Sequence, residues 1–252
     1  MLLSAIRSLV FLLVMLVTVI PFALLTLLWS PLPLVWRYRL TVGWPRAMVY
    51  ACRWICGIDW TLKDWNKLPQ GPAIIMPKHQ STWETFFLIS HMPRELVFVH
   101  KRELLWVPFF GWGLGLLDMI RIDRRKGTDA FEQVLSQGTR KLAEGRWIIV
   151  FPEGTRVAPG LRGRYKTGGA RLALRTGAPI VPIALNSGYC WPKASWIKRP
   201  GRITVSVGDP IPVEGRSPDE LTLALERWIE AEVERIGLPL DPGPSKRPVP
   251  GP

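Results

Sequence analysis

One of the chain's three histidines stands near a carboxylate, in a position suited to acid–base chemistry. His79 follows the apolar run Ala73–Met76 and Pro77, and Glu84 comes five residues later. An imidazole titrates near neutral pH and can take a proton from an alcohol. A carboxylate on its other ring nitrogen would fix the tautomer and stabilise the imidazolium, as in a Ser-His-Asp triad whose serine is replaced by a substrate hydroxyl. The pair predicts a general base.

Glu84 also has a purely structural interpretation. The tetrapeptide Ser81-Thr82-Trp83-Glu84 matches a capping box, in which the carboxylate accepts a hydrogen bond from the backbone at the start of a helix. One carboxylate has several acceptor sites, so it can cap a helix and bond an imidazole at the same time. The sequence leaves both roles open.

Two later blocks place charged residues directly after apolar runs. Ile120–Lys126 (IRIDRRK) has dense arginine that suits bidentate recognition of phosphate, and a solvated basic loop is the plain alternative. Phe151–Arg156 (FPEGTR) follows the run WIIV. Charge at the end of a buried strand costs energy unless it is paired or used. Glu153 and Arg156 therefore either pair with each other or hold a polar headgroup.

Glycines and a lysine accompany the FPEGTR block. Gly154 would let the backbone approach a bound headgroup closely. Lys166 and the pair Gly168-Gly169 follow further along the chain, where a helix is predicted to open. Exposed amides at a helix start, together with an ammonium group, suit a phosphate.

Apolar runs alternate with amphipathic stretches around these blocks. The β-branched runs predict buried strands at Ala73–Met76, Leu96–Val99, Trp147–Phe151, Ile180–Ala184 and Ile203–Val207. Helical patterns lie at Trp83–Ser90, Asp129–Ala143 and Gly168–Arg175. Ser217 and Pro218 start a last helix that runs to about Arg235. Strands alternating with helices predict an α/β domain.

The first part of the chain predicts a membrane anchor. Leu9–Leu28 is almost purely aliphatic and long enough for a helix that spans a bilayer. A cleaved signal peptide is the alternative, but the run is long for one and no A-x-A-like site follows. Val35–Ile58 mixes tryptophan with arginine and predicts a second, amphipathic helix at the interface, with a basic helix packed on the domain as its alternative.

These patterns divide the chain into three parts. Residues 1–59 form the anchor, residues 60–236 the α/β domain, and residues 237–252 a tail rich in Pro and Gly that we expect to be disordered. The arginines after the first helix favour a cytoplasmic main domain, so we expect the protein at the cytoplasmic face of the inner (plasma) membrane. Whether the first helix spans the bilayer or lies in one leaflet stays open.

Composition favours an anionic partner at a membrane. The formal charge is +13 and 13 residues are tryptophan, which is favoured where a membrane meets water. Positive charge suits phospholipid headgroups, phosphorylated substrates or nucleic acid. The anchor and the lack of a recognised binding motif argue against nucleic acid. Cys52, Cys56 and Cys190 match no metal-ligand pattern, and we interpret them as reduced.

Four blocks together resemble the 1-acylglycerol-3-phosphate acyltransferase (PlsC-like) family of glycerolipid acyltransferases. They are KHQSTWE at 78–84, IRIDRRK at 120–126, FPEGTR at 151–156 and the Val-Pro-Ile of 181–183. The resemblance extends from Trp60 to Gly208. It implies a mixed sheet flanked by helices, the fold of glycerolipid acyltransferases. It also implies transfer of a fatty acyl chain from acyl-CoA or acyl carrier protein to the sn-2 hydroxyl of lysophosphatidic acid, with neither a metal nor another cofactor.

The same resemblance assigns roles to single residues. It implies that His79 is the base, that Arg124 contacts a phosphate or headgroup, and that the Val-Pro-Ile block lines the acyl side. Lys101 matches a recurring KxEL element. The acceptor would be bound by the third block, Glu153, Gly154, Thr155 and Arg156. The implied partners are membrane phospholipids, the lysophospholipid acceptor and the acyl donor.

One position departs from the family pattern. Aspartate is the usual acid after the histidine, whereas this chain has Glu84. The extra methylene displaces the carboxylate by about an ångström, and a misplacement of that size can be costly in catalysis. Another lysophospholipid or a lyso-aminolipid is therefore the alternative acceptor. A non-catalytic membrane-surface protein that binds anionic lipid is the alternative to an enzyme.

Overall fold

A mixed β-sheet forms the centre of the molecule. The computed structural model describes residues 1–107, 110–123 and 128–240. Within them lie seven strands: β1 (Ile58–Lys63), β2 (Ile74–Pro77), β3 (Leu96–Lys101), β4 (Ile120–Ile122), β5 (Trp147–Ile149), β6 (Ile180–Leu185) and β7 (Gly201–Val207). Their order is β1-β7-β6-β2-β5-β3-β4, and only the β6–β7 pair is antiparallel. The carboxyl ends of β2 to β6 therefore share one edge, where parallel sheets commonly bind ligands.

Helices cover both faces of this sheet. The described helices are α1 (Leu2–Leu28), α2 (Leu34–Thr41), α3 (Gly43–Cys56), α4 (Trp83–His91), α5 (Phe110–Leu116), α6 (Thr128–Ala143), α7 (Gly168–Thr176) and α8 (Pro218–Ile236). One face packs against α1, α3 and α4 through residues such as Phe11, Val49 and Phe87. The other packs against α6, α7 and α8 through Leu135, Leu172 and Leu225. The predicted class, a mixed sheet flanked by helices, is confirmed.

Most predicted elements are present at the expected places. All five predicted strands occur, although β5 ends at Ile149 rather than Phe151. The helices α4, α6 and α7 lie within a residue of their predicted bounds. Ser217 caps α8 in a complete capping box with Glu220. The sequence patterns do not predict β1 and β4, because both are half-exposed edge strands without a continuous apolar run.

The prediction of a single amphipathic helix over Val35–Ile58 is wrong. The structure has two helices there, α2 and α3, and β1 already begins at Ile58. The break at Val42 precedes Pro45, which lies in the first turn of α3. Proline has no backbone N–H and is tolerated in a first turn but not in a helix interior, so a new helix starts just before it. The predicted two-helix unit is thus three helices.

Helix α1 is long and apolar enough to cross a membrane, by length and composition alone. Its inner face packs on the rest of the molecule: the Phe11 ring meets Trp191 edge-on at 5.4 Å, and the Ser8 hydroxyl accepts from the Lys198 amide at 2.8 Å. Its outer face leaves aliphatic side chains exposed: Leu9, Val10, Leu13, Leu16, Val17, Ile20, Leu24 and Leu25. The helix is therefore apolar on both sides, and only one side is covered.

The predicted tail is described only at its start. Gly237 ends α8, and the Leu240 carbonyl accepts a hydrogen bond from the Arg202 amide of β7 at 2.8 Å. The remainder of the tail, residues 241–252, lies outside the described residues.

Candidate active site

His79 lies at the carboxyl edge of the sheet, in the loop between β2 and α4. All of β2 is buried, and the Lys78 amide donates to the Ile183 carbonyl of β6 at 2.9 Å, so the sheet fixes the start of this loop. His79 Nδ1 lies 2.9 Å from Glu84 Oε1 in the first turn of α4. The two residues that the sequence singles out for acid–base chemistry are in direct contact.

The Glu84 carboxylate is fully buried and accepts from five groups. Its Oε1 atom accepts from the backbone amides of Gln80 and Ser81, at 2.7 and 2.6 Å, besides meeting His79. Its Oε2 atom accepts from the hydroxyls of Ser81 and Ser187, each at 2.5 Å. Glu84 therefore holds the backbone ahead of α4 and the imidazole at once. The predicted capping box forms only by half: the Ser81 amide donates to Glu84, but the Ser81 hydroxyl accepts from the Trp83 amide, and the N-cap of α4 is Thr82.

The hydrogen-bond partners of Glu84 assign the tautomer of His79. The other four partners are donors, so the carboxylate is an acceptor and Nδ1 must carry a hydrogen. Nε2 is left with its lone pair. The ring stacks on Phe151 with centroids 3.8 Å apart, and 17% of the His79 side chain is exposed. The imidazole is thus oriented, and one side remains open to a second molecule.

Two cavities meet at His79. The first, about 370 Å³, is almost entirely apolar and is formed by α1, α4, α5 and β3, with Phe22, Phe86 and Leu114 in its wall. The second, about 420 Å³, runs from His79 past Gly154 to Lys166 and the start of α7. We call these the apolar cavity and the lysine cleft. His79 can therefore face two substrates that arrive from different sides.

A second histidine borders the apolar cavity. The His100 ring lies in the cavity wall, and its Nδ1 atom is 2.9 Å from the Lys101 carbonyl. Burial lowers the pKa of His100, so its ring is neutral at physiological pH. The wall around it therefore carries no charge that would repel a hydrocarbon chain.

Glu153 points into the molecule, beneath the His79 loop. It is 3% exposed, its Oε2 accepts from the His79 amide at 2.8 Å, and its Oε1 lies 2.7 Å from Lys78 Nζ. Arg156 donates instead to the Thr82 hydroxyl at 3.0 Å. Glu153 thus supports the backbone that carries the imidazole, whereas the family resemblance implies that it binds the acceptor.

Lys78 extends this contact into a buried cluster of charges. Its ammonium group donates to Glu230 of α8 at 2.6 Å, and the Tyr165 hydroxyl donates to the same oxygen at 2.8 Å. Burial raises the pKa of Glu153, and the neighbouring Lys78 opposes that rise. Burial also raises the pKa of Tyr165, which keeps its proton and remains a donor. One lysine therefore lies within ion-pair distance of two carboxyl groups in the interior.

Gly154 and Lys166 lie together on the surface of the lysine cleft. Gly154 has a φ of 67°, and a Cβ atom there would come within 2.8 Å of Lys166 Nζ. Glycine therefore lets the ammonium group rest against the loop. Thr155 is exposed and its hydroxyl lies 3.4 Å from Lys193 Nζ.

Two further predicted binding residues lie apart from His79 or beyond the described chain. Lys101 is exposed at the carboxyl end of β3, in register with Ile122 of β4. Arg124 lies outside the described residues, so its contact with a phosphate remains a prediction. Among the residues that the structure does describe, no group of His, Cys, Asp or Glu could hold a metal ion, and the three cysteines are free and buried.

Sequence reasoning misses four residues that support the site: Lys78, Tyr165, Ser187 and Glu230. Ser187 follows the buried strand β6, and a polar residue at the end of a buried strand is the same signal that marks His79. Lys78 and Glu230 lie 152 positions apart, and no local pattern connects them.

Known proteins resemble this chain in sequence and in fold. A family model described as acyltransferase matches residues 60–186. The 1-acyl-sn-glycerol-3-phosphate acyltransferase of Pseudomonas aeruginosa is 41% identical over 238 residues, which are 92% of each chain. The human 1-acyl-sn-glycerol-3-phosphate acyltransferase alpha is 30% identical over 186 residues, 72% of this chain and 65% of the human one.

A solved structure shows the same fold. The crystal structure of the lysophosphatidic acid acyltransferase PlsC from Thermotoga maritima superposes with a TM-score of 0.76, over 92% of this chain and 95% of that one, at 21% identity. The likeness at this identity concerns the fold, and the sequence matches concern the family. Together they show that the chain is an acyltransferase of the 1-acylglycerol-3-phosphate acyltransferase (PlsC-like) family.

Proposed function

We propose that this acyltransferase moves a fatty acyl group from acyl-CoA or acyl carrier protein to the sn-2 hydroxyl of lysophosphatidic acid, which gives phosphatidic acid. The names of the Pseudomonas and human relatives give this acceptor for those proteins. The observation that carries the proposal is the position of His79. Its ring is oriented by a buried carboxylate and lies between an apolar cavity and a cleft that contains a lysine.

His79 acts as the general base in this proposal. The acceptor hydroxyl donates to Nε2, and its oxygen attacks the carbonyl carbon of the thioester while Nε2 takes the proton. Glu84 stabilises the imidazolium that forms. The tetrahedral intermediate then breaks its carbon–sulfur bond, and the leaving thiolate takes the proton back from His79. The base is regenerated, and the products are an ester and a free thiol.

The two cavities suit the two ends of such substrates. The apolar cavity borders α1, whose outer face is aliphatic, so an acyl chain can enter from lipid without crossing water. The lysine cleft brings the Lys166 ammonium group and the first amides of α7 towards His79. These groups suit a substrate phosphate. Gly154, Thr155 and Arg156 lie beside this cleft or the His79 loop and are proposed as acceptor contacts.

We further propose that α1 lies in one leaflet at the cytoplasmic face of the membrane. Its inner face contacts α3 from Arg7, whose carbonyl meets Cys56, to Thr18, which accepts from the Trp44 indole. It also contacts the α/β domain, at Trp191 and at Lys198. A spanning helix needs a lipid or protein surround throughout the hydrocarbon core. Lys198, whose amide donates to Ser8 of α1, is a charged residue that would be costly inside the hydrocarbon core, whereas an interfacial helix needs only one apolar face.

The first test removes the base. His79→Ala should lower the turnover of acyl-CoA with lysophosphatidic acid by about 10²–10⁴-fold, the usual contribution of general base catalysis. Thiol release followed with a chromogenic disulfide measures it. His91→Gln is the matched control, because that histidine packs among aromatic rings outside both cavities. Turnover near the parent level in folded His79→Ala protein would refute the mechanism.

A second test identifies the acceptor. The enzyme is incubated with one labelled acyl-CoA and an equimolar mixture of lysophosphatidic acid, another lysophospholipid and a lyso-aminolipid. We expect labelled phosphatidic acid as the main product in the lipid mass spectrum. Preferential labelling of either other lipid would assign the acceptor to that class and leave the role of His79 intact.

A further inference from the structure

Ser187 touches the catalytic carboxylate from a distant part of the chain. It lies in a short 3₁₀ turn after β6, and its hydroxyl donates to Glu84 Oε2 at 2.5 Å. Both side chains are fully buried. Strand β6 is the parallel neighbour of β2, so the turn after β6 meets the His79 loop side by side. The contact follows from the sheet order.

The second oxygen of Glu84 needs such a partner. Oε1 is occupied by His79 and two backbone amides, which leaves Oε2 directed away from the imidazole. A buried carboxylate oxygen without donors costs free energy and weakens the ionised form. Ser81 and Ser187 are the described donors to Oε2, and their hydroxyl oxygens lie 3.0 Å apart. Ser81 belongs to the His79 loop itself, whereas Ser187 anchors that loop to β6.

A second contact joins the same two segments. The Gly188 amide donates to the Gln80 side chain at 3.1 Å, next to the Ser187–Glu84 bond. A Cβ atom at Gly188 would approach that of Gln80 to 2.9 Å, so the two backbones are closely packed. These contacts fix the position of the Ser187 hydroxyl relative to the His79 loop. They therefore also set how long the acidic side chain must be to reach that hydroxyl.

We propose that Ser187 is a positioning residue that fits this active site to glutamate. It holds Oε2 and directs Oε1 at His79 in spite of the extra methylene. Ser187 acts through Glu84 and lines neither cavity. This inference deepens the proposed function and rests on it, because it assumes that His79 and Glu84 work as a pair.

Ser187→Ala is the direct test. We expect kcat to fall about 10-fold, the effect of losing one hydrogen bond to a charged group, with the KM of both substrates near the parent value. Ser206→Ala is the matched control, since Ser206 is a buried serine that donates to the carboxylate of Glu232. It should lower the melting temperature and leave kcat unchanged.

The double variant separates positioning from general loss of structure. With Glu84→Gln already present, adding Ser187→Ala should lower kcat by less than about two-fold, since the carboxylate that Ser187 serves is gone. An undiminished effect in that background would overturn the proposal. An unchanged kcat in folded Ser187→Ala protein would do the same.

Glu84→Asp gives a readout that does not depend on the folding of Ser187 variants. A shorter acid cannot reach both His79 and Ser187, so we expect kcat to fall even though aspartate is the usual residue of the family. Full activity of Glu84→Asp would contradict the inference. Active His79→Ala protein would instead remove the proposed function, so the two failures can be told apart.

Discussion

At the scale of single residues, the charges beneath His79 show how a buried cluster can serve a site without touching a substrate. Lys78 forms ion pairs with Glu153 and Glu230. Glu153 in turn accepts a hydrogen bond from the His79 amide, so the ion pairs help to fix the backbone of His79. Removing one partner of such a cluster leaves a buried charge without compensation, which is far more costly than the gain from any one pair. The cluster therefore holds the His79 loop in place, and a mutation of any one of its members should destabilise the protein.

The stability contributed by Glu153 should depend on pH. Because burial raises its pKa, this carboxyl holds a proton more tightly in the folded protein than in the unfolded chain. Its contribution is present at acid pH and is lost as the pH rises through the folded pKa. Glu153→Gln removes the titration, so the unfolding free energy of the variant should rise relative to that of the parent as the pH increases from the unfolded pKa through the folded pKa of Glu153. Urea denaturation measures this difference.

Glu220 supplies a control of opposite sign. Its pKa is lowered, mainly by the Ser217 amide of the capping box, so its contribution is present above the unfolded pKa and lost as the pH falls. The unfolding free energy of Glu220→Gln should therefore fall relative to that of the parent as the pH rises. If the unfolding free energies of both variants followed the pH dependence of the parent, neither carboxyl group would have the pKa shift described here.

At the scale of elements, the sequence predicts what is buried and periodic. The central strands β2, β5 and β6 are uniformly apolar and buried and are found from the sequence, whereas the edge strands β1 and β4 consist mostly of partly exposed or exposed residues. The same limit applies to the site. His79 and Glu84 are linked by local spacing, but Ser187 reaches them only through sheet order, which no local pattern contains.

Two adjacent glycines at the start of α7 differ in the space around them. A Cβ at Gly169 would come within 2.5 Å of Met76 Cε and 3.3 Å of Val150, so Gly169→Ala should lower the unfolding free energy by about 1–3 kcal/mol through overpacking. A Cβ at Gly168 meets nothing within 4 Å. Gly168→Ala should instead stabilise the helix by about 0.5–1 kcal/mol. Chemical denaturation compares them, and equal effects would contradict the close packing of α7 on β2.

At the scale of the whole molecule, the chain presents an aliphatic face within a strongly basic protein. Trp36 of α2 and Trp54 of α3 are exposed as well. Arg39 lies over the ring of Trp36 and Arg53 over that of Trp54, so cationic groups accompany these exposed rings. This arrangement suits a surface that inserts between acyl chains while its rim meets anionic headgroups.

Membrane binding should be separable from folding. Leu13 and Val17 lie on the outer face of α1 and are 52% and 70% exposed. Leu13→Asp with Val17→Asp should lower co-sedimentation with vesicles that contain anionic phospholipid by at least about 10-fold, because charge in the acyl region costs several kcal/mol. The melting temperature should stay near that of the parent. Leu223→Asp, an exposed leucine of α8, is the control.

Unchanged binding by the double variant would remove α1 from the membrane contact. A fall in melting temperature as large as that caused by a core mutation would show instead that the outer face of α1 packs against other parts of the native protein. Neither result bears on the chemistry at His79.

The bond between Lys78 and Glu230 has a consequence for biosynthesis. During synthesis α1 leaves the ribosome before any strand of the sheet. Glu230 leaves the ribosome only after residues from every strand, and until it docks, Lys78 lacks one of its two carboxylate partners. The loop that bears the imidazole therefore gains its last ion pair only after every strand of the sheet has been synthesised.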